Sequence, residues 1–317
     1  MSSVASARLC LVLAAVLWST GSLFMRLLRE PTGLGWNEPL LTPIQITFYR
    51  GLFGGLMLLS LVRRRDVCFR PMMGAMVLTF TLMSVLYLSA LGLGPAANAI
   101  FLQNTAPIWV YLFAILVLGE AVDRRGLQAV LLGGLGAVVI VAGNWPTDLP
   151  ADEQRSQVLI LGMGVSCGLV YATVVLFLRE LRAHSAAWLI VLNLIGTAIT
   201  LAAFILVTDG PSGLWAWVSE PTAIQLVVFV MYGTIQMAIP YWLFARGLRT
   251  VSPQEAGIIT LIEPLLNPLW AYLITPEKDT PTLPMLLGGG LILTALIWRY
   301  VPLKRRIPLK PLASPEV

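Results

Sequence analysis

Residues 94–120 read GPAANAIFLQNTAPIWVYLFAILVLGE, and a counterpart of this stretch lies 157 residues further along the chain. Both stretches have a proline inside an apolar run, Pro107 and Pro264, and an acidic residue just past its end, Glu120 and Glu277. Apolar identities are expected between any two membrane helices, whereas a shared mid-helix proline and a shared terminal carboxylate are rarer coincidences. We therefore predict an internal duplication.

The composition predicts a membrane protein. Of the 317 residues, 57% are apolar and 12% are charged, and the mean hydropathy is +0.82; a soluble domain has about 25% charged residues. At about 20 residues per span, this length accommodates about ten helices, and the apolar runs are too continuous for a β-barrel. The predicted fold class is an all-α integral membrane protein with ten transmembrane helices.

Ten apolar segments are predicted to cross the membrane. They cover residues 8–28, 42–62, 72–90, 95–118, 127–143, 157–178, 185–207, 222–245, 252–274 and 281–299. Arginines concentrate in alternate connections, such as Arg63, Arg64 and Arg65 after the second span. Cytoplasmic loops carry an excess of Lys and Arg, so both termini are predicted to face the cytoplasm. A cleaved signal peptide over the first span is an alternative, but its removal would reverse this charge bias.

The duplication and the span count together predict the domain organisation. A repeat of five helices has an odd number of crossings, so the second copy enters the membrane inverted. We predict a first five-helix repeat over 1–143, an external linker over 144–156, a second five-helix repeat over 157–300 and a cytoplasmic tail over 301–317. The proline-rich tail is expected to be disordered.

Several motifs carry a family resemblance. LVLAAVLWSTGSLFMR at 11–26, FYRG at 48–51 and the duplicated stretches resemble the EamA type of the drug/metabolite transporter superfamily. The resemblance implies two inverted five-helix repeats around a central cavity, alternating access, and export of amino acids or other metabolites across a bacterial inner membrane. One departure is Pro276 before Glu277, where the first copy has a glycine.

Alternative functions are a non-transporting scaffold or sensor and an intramembrane enzyme. The sequence has no phosphate-binding motif of the form Gly-x-x-x-x-Gly-Lys-Ser/Thr, so ATP is not expected to be the direct energy source. The single histidine, His184, falls in a predicted loop, so no catalytic Ser/His pair or histidine metal site is expected at membrane depth. We predict no enzymatic activity, cofactor, metal or nucleic-acid partner. The expected partners are a small-molecule substrate and the lipid bilayer, and a homodimer remains an open alternative.

Span nine has the most informative polar residues. Five residues of this span are spaced three or four positions apart, which places them on one face of a helix. They are Ala256, Thr260, Glu263, Asn267 and Trp270. Glu263 lies near the bilayer midplane, where ionisable groups usually face a cavity, so it is the candidate for proton coupling. The candidate substrate-binding residues here are Glu263, Thr260, Asn267 and Trp270, together with Asn104 of span four. The alternative is structural, with a protonated Glu263 hydrogen-bonded to Gln103 or Asn104.

Prolines predict interruptions in spans four, eight and nine. Pro107, Pro240 and Pro264 lack an N–H group, so each frees the carbonyl four residues earlier. The freed carbonyls belong to Gln103, Gln236 and Thr260. Freed carbonyls are tolerated in a membrane where helices face water or one another, so these three residues are predicted to border one cavity. The alternative is that the prolines are simple kinks.

Aromatic residues complete the predicted lining. They are Trp18, Tyr87, Trp109, Tyr232 and Trp270. Each alone fits packing or an interfacial belt, but together with one carboxylate they suit an amphipathic or cationic small molecule. Arg50 is expected to snorkel toward the membrane surface; balancing Glu263 and holding an anion are the alternatives.

Overall fold

The computed structural model describes residues 3–117, 119–147 and 149–301, and its long elements are all α-helical. Most of the tail predicted at 301–317 lies outside the described residues. In chain order the helices are α1 (Ser3–Ser19 and Gly21–Arg29), α2 (Pro43–Leu59), α3 (Pro71–Leu93), α4 (Ala96–Gln103 and Ala106–Leu116), α5 (Arg124–Gly143), α6 (Ala151–Glu180), α7 (Ala186–Ser219), α8 (Ala223–Met231, Tyr232–Ala238 and Ile239–Gly247), α9 (Pro253–Thr260 and Ile262–Ile274) and α10 (Leu283–Tyr300).

Within the described ranges, nine of these helices are long and apolar enough to span a membrane. The tenth, α2, has 17 residues, which at 1.5 Å per residue gives a length of about 26 Å. It packs along α7 and against the middle of α8 inside the bundle. The all-α membrane fold is therefore confirmed, and α2 is the shortest of its ten long helices.

The helix contacts follow the symmetry of two five-helix repeats. Helix α5 packs along α10, and α2 along α7. Helix α3 packs on α6 as α8 packs on α1, and α4 packs on α6 as α9 packs on α1. If each helix is replaced by the one five positions away, the first two contacts map onto themselves, and the contacts on α6 and on α1 map onto one another. Since each repeat has an odd number of helices, this arrangement is the inverted repeat.

Capping motifs set where several helices begin. The Thr42 hydroxyl accepts a hydrogen bond from the Gln45 backbone, and the Gln45 side chain accepts one from the Thr42 N–H. This capping box, with proline in the first helical turn, begins α2. Thr222 and Gln225 form the same box at the start of α8. Both starts agree with the predicted spans, which begin at residues 42 and 222.

Four helices are interrupted near their middles. The predicted interruptions lie in α4 between Gln103 and Ala106, in α9 at Leu261, and in the π-helical segment of α8 before Pro240. Helix α1 also breaks, at Thr20, which proline positions could not predict. There the hydroxyls of Ser19 and Thr20 donate hydrogen bonds of 2.6 Å to carbonyls of the preceding turn, a pattern that bends helices.

Two helices extend beyond their predicted bounds. Helix α6 begins at Ala151, inside the segment predicted as a linker, and α7 continues to Ser219 rather than ending near residue 207. In α7 the backbone departs from helical geometry at Gly210, where φ is 74°, and the chain then resumes a helix. Hydropathy alone could not predict this extension because polar residues and Pro211 follow the apolar run.

Candidate substrate site at the centre of the bundle

The break in α1 is held by residues of α9. The Ser22 backbone N–H donates to Asn267 Oδ1 at 3.0 Å, and the Ser22 hydroxyl donates to the Asn267 carbonyl. The Asn267 side-chain amide reaches the hydroxyl of Tyr87 on α3 at 3.4 Å, and Trp270 Nε1 donates to Ser19 Oγ at 2.9 Å. Asn267 and Trp270, predicted to bind substrate, therefore make interhelical hydrogen bonds that join α9 to α1.

The π-helical segment of α8 contacts the same break. Fully buried Tyr232 donates its hydroxyl to the Gly21 carbonyl at 3.1 Å, and its ring stacks on Phe24 with centroids 4.8 Å apart. Gln236 Nε2 donates to the Trp18 carbonyl at 3.2 Å. The α8 side chains thus satisfy carbonyls on both sides of the α1 break, as the membrane interior requires.

Arg50 lies beside this segment and does not snorkel to the surface. It is the eighth of the 17 residues of α2, and only 4% of its surface is exposed. Its guanidinium lies 5.7 Å from the centre of the Tyr232 ring, and Nη1 donates to Gln236 Oε1 at 3.4 Å. The expectation of snorkelling is wrong because α7 and α8 pack against α2 at this depth. An arginine well inside an apolar run was the signal available in the sequence.

Glu263 lies on α9 just past the break at Leu261. Within the described residues its carboxylate makes no hydrogen bond or ion pair, so the predicted bond to Gln103 or Asn104 is not formed. It interacts electrostatically with Arg50, Tyr87, Tyr171 and Tyr241, which lie on four other helices. Despite this central position, its side chain remains partly accessible.

A second side chain of this group, Tyr171 of α6, also has accessible surface. It interacts electrostatically with Glu263, Cys167 and Tyr241, and 36% of its surface is exposed. Tyr171 also interacts with Tyr300 in the last turn of α10, so these interactions extend from Glu263 toward the end of the bundle where α1 begins and α10 ends. We call that end the terminal end.

The opposite end is closed by a buried ion pair. Arg26 Nε and Nη2 donate to the two carboxylate oxygens of Asp279 at 2.6 and 2.8 Å. Arg26 also donates to the carbonyls of Leu91 at 3.0 Å and Gly94 at 2.8 Å, and Asp279 accepts from the Ala96 N–H at 2.8 Å. These contacts join the end of α1, the α3–α4 connection and the α9–α10 connection. We call this region the clamp and this end of the bundle the clamp end.

The clamp keeps Asp279 ionised. Burial raises the pKa of this carboxyl, but the hydrogen bonds and charge of Arg26, together with the Ala96 and Thr275 donors, outweigh burial and hold the pKa below its ordinary value. This ion pair was not predicted from the sequence. The one signal for it was an arginine, Arg26, within an apolar run, but the partner Asp279 is 253 residues away along the chain.

The remaining predicted site residues make hydrogen bonds outside the group of residues around Glu263 and the α1 break. Asn104 donates to the Ile100 carbonyl at 2.8 Å, Trp109 to Thr105 Oγ1 at 3.2 Å, and Thr260 to the Gly257 carbonyl at 3.0 Å. Gln103 neighbours Cys167 of α6. In the described part of the chain, no hydrogen bond joins Gln103, Gln236 and Thr260, so their common border remains a prediction. The same residues contain no group of three His, Cys, Asp or Glu side chains that could hold a metal ion.

Comparisons with known proteins identify the family of this chain. A sequence model of the EamA-like transporter family matches residues 5–142 and 158–300. An uncharacterized transporter of Archaeoglobus fulgidus is 32% identical over 297 residues, which cover 91% of this chain and 95% of that protein. The pseudopaline exporter CntI of Pseudomonas aeruginosa is 26% identical over 90% of this chain and 94% of its own length.

A solved crystal structure shares the fold. It superposes with a TM-score of 0.57 at 17% identity, and the match covers 93% of this chain and 97% of the other. The family match covers both halves of the chain and so agrees with the internal duplication. The chain belongs to the EamA-like transporter family of multi-pass membrane transporters, which are not enzymes.

Proposed function

We propose that this chain is a secondary transporter that exports small amino-acid-like metabolites by alternating access, with Glu263 at the substrate site. One observation carries this proposal: the Glu263 carboxylate lies centrally, is partly accessible, and has no hydrogen-bond or ion-pair partner within the described residues. A carboxylate without partners is costly in a membrane interior, so it is retained where a ligand or ion binds.

The same carboxylate provides a route to proton coupling. Deprotonated Glu263 binds the cationic part of a substrate, and a proton replaces that cation on the return half-cycle. Because each ligand neutralises the Glu263 carboxylate in turn, this carboxylate is an unpaired anion in neither half-cycle. Exchange of substrate for proton is antiport, and it drives export when protons flow inward.

The direction of transport follows from the predicted orientation. The charge bias predicts cytoplasmic termini, and the family resemblance implies an inner-membrane location, so the terminal end faces the cytoplasm. The Glu263 site is reached from that end, because the clamp closes the other and the partly exposed Tyr171 interacts with Tyr300 there. A site open to the cytoplasm is the loading state of an exporter. The match to a pseudopaline exporter supports export as the direction.

An efflux comparison tests the role of Glu263. Cells expressing the parent or Glu263→Gln are compared for metabolites released to the medium, and the released metabolites are then assayed in proteoliposomes with an imposed pH gradient. We expect the parent to export uphill, Glu263→Gln to lose uphill export at equal membrane abundance, and Glu263→Asp to retain part of it. Glu255→Gln is the matched control because Glu255, on the same helix, forms an exposed pair with Arg8.

The outcomes separate the candidate functions. Uphill export by Glu263→Gln equal to the parent would make Glu263 structural and refute the coupling. Absence of any flux with the purified parent would favour the scaffold or sensor alternative. The orientation is tested by a single cysteine at position 153, which we expect to be labelled from outside only.

A further inference from the structure

Arg50 is a buried cation whose hydrogen-bonding capacity is largely unused. A guanidinium has five N–H donors. Within the described residues the guanidinium donates to Gln236 at 3.4 Å and hydrogen-bonds the Tyr232 side chain, while its buried Nε has no partner. Buried polar atoms normally have a partner, so an exception calls for a bound molecule.

The surroundings of Arg50 hold the group in place without neutralising it. The Tyr232 ring lies 5.7 Å from the guanidinium carbon, and Tyr232 itself is fixed by its bond to the Gly21 carbonyl and its stacking on Phe24. Gln236 is fixed by its bond to the Trp18 carbonyl. A planar guanidinium held this way matches the two oxygens of a carboxylate.

Arg50 and Glu263 act on each other electrostatically but do not form an ion pair. Direct pairing would neutralise both groups and leave neither available for a ligand. A gap between opposite charges instead fits a solute that carries a carboxylate and an amine. The neighbouring aromatic rings of Tyr171, Tyr241 and Trp18 supply an apolar contact surface for the rest of such a solute.

We propose that Arg50 binds the carboxylate of the transported solute and that Arg50 and Glu263 together select a zwitterionic amino-acid head group. This inference rests on the proposed function and specifies its substrate class. The competing role for Arg50 is charge balance, in which it keeps Glu263 ionised and contacts no solute.

Three probes with the same phenyl ring separate these roles. They are L-phenylalanine, phenethylamine, which lacks the carboxylate, and 3-phenylpropionate, which lacks the amine. Each is measured as radiolabelled uptake into proteoliposomes that contain the purified full-length chain. We expect the parent to prefer phenylalanine over both analogues.

The variants then report which charge is recognised. Arg50→Gln should lower the phenylalanine-to-phenethylamine ratio by about tenfold, through the loss of a charge-assisted hydrogen bond, and Arg50→Lys should recover part of it. Glu263→Gln should instead lower the phenylalanine-to-phenylpropionate ratio. Arg246→Gln is the control, because Arg246 is exposed and contacts Trp242 at the terminal end, and it should leave both ratios unchanged.

Two results would overturn the inference. If Arg50→Gln slows the three probes equally, Arg50 balances charge and does not contact the carboxylate. If the parent transports none of the three, or prefers phenethylamine, the zwitterion selectivity is wrong. Neither result touches the proposed export function, because the efflux screen detects transport of any metabolite without assuming its charge.

Discussion

Arg26 and Arg50 are both buried in the helix bundle, with 0% and 4% of their surfaces exposed, but their partners differ. Arg26 donates four hydrogen bonds of 3.0 Å or less, two of them to a carboxylate. Within the described residues Arg50 bonds only neutral side chains, Gln236 at 3.4 Å and Tyr232, and its Nε has no partner. One guanidinium is therefore satisfied by the protein, and the other is available to a ligand.

This difference separates a structural region from a functional one. The clamp joins the end of α1, the α3–α4 connection and the α9–α10 connection at one end of the bundle. The second half of α1 is closely packed there, since its residues Met25 and Leu28 are fully buried. Arg50 and Glu263 lie near the middle, beside helices interrupted at Thr20, Leu261 and the π-helical segment of α8. Burial alone does not distinguish these roles, whereas the completeness of hydrogen bonding does.

The largest expected effect is loss of stability at the clamp. Asp279→Asn removes the charge that pairs most closely with Arg26 and leaves the buried guanidinium with only the longer 3.6 Å pair to Glu30, and breaking a buried pair in this way costs about 3–5 kcal/mol. Thermal unfolding of the purified protein in detergent measures this loss. A melting temperature equal to that of the parent would show that the clamp does not hold the structure together.

Arg50→Gln should have a much smaller effect on the same melting temperature. The change removes the contacts with Gln236 and the Tyr232 ring, of which a desolvated cation–π contact is worth about 2 kcal/mol, and it also removes a charge from a buried site, which offsets that loss. A decrease as large as that of Asp279→Asn would mean that Arg50 has a structural role like that of Arg26.

A third variant compares the two ends of the bundle. Glu120 follows α4 and pairs with Arg179 of α6 at 2.6 Å, but both side chains are about half exposed. The pair joins α6 to the α4–α5 connection. In the inverted repeat the equivalent elements are α1 and the α9–α10 connection, which the clamp joins at the other end of the bundle. Because water screens an exposed pair, Glu120→Gln should cost about 1 kcal/mol or less in thermal unfolding. A larger cost would make the terminal end as firmly closed as the clamp end.

Much of the fold could be predicted from the sequence because its signals are local. Apolar runs predicted all ten helices, and proline positions predicted the interruptions in α4, α8 and α9 because each proline removes a backbone donor. The break in α1 had no such signal, since it depends on Ser19 and Thr20 hydroxyls that equally well point elsewhere.

The site was less predictable because its contacts join distant parts of the chain. Helical spacing of three and four residues predicted that Thr260, Glu263 and Asn267 lie on one face of span nine. This prediction requires a continuous helix, but α9 breaks at Leu261. Asn267 consequently contacts α1 and α3, while Thr260 bonds within its own helix segment. No local pattern shows which of many loop carboxylates meets Arg26.

The smallest expected effect concerns pH at the clamp. The pKa of Asp279 is lower in the folded protein than the ordinary aspartate value, because the donors around it favour the ionised form more than burial disfavours it. Its contribution to stability is therefore complete above that ordinary value and is lost as pH falls through the folded-state pKa. We expect the melting difference between the parent and Asp279→Asn to stay constant from about pH 8 to about pH 5, with a decrease only in more acidic solution. A difference that shrinks between pH 7 and pH 5 would place the Asp279 pKa above its ordinary value, which would mean that burial, and not Arg26, dominates the environment of this carboxylate.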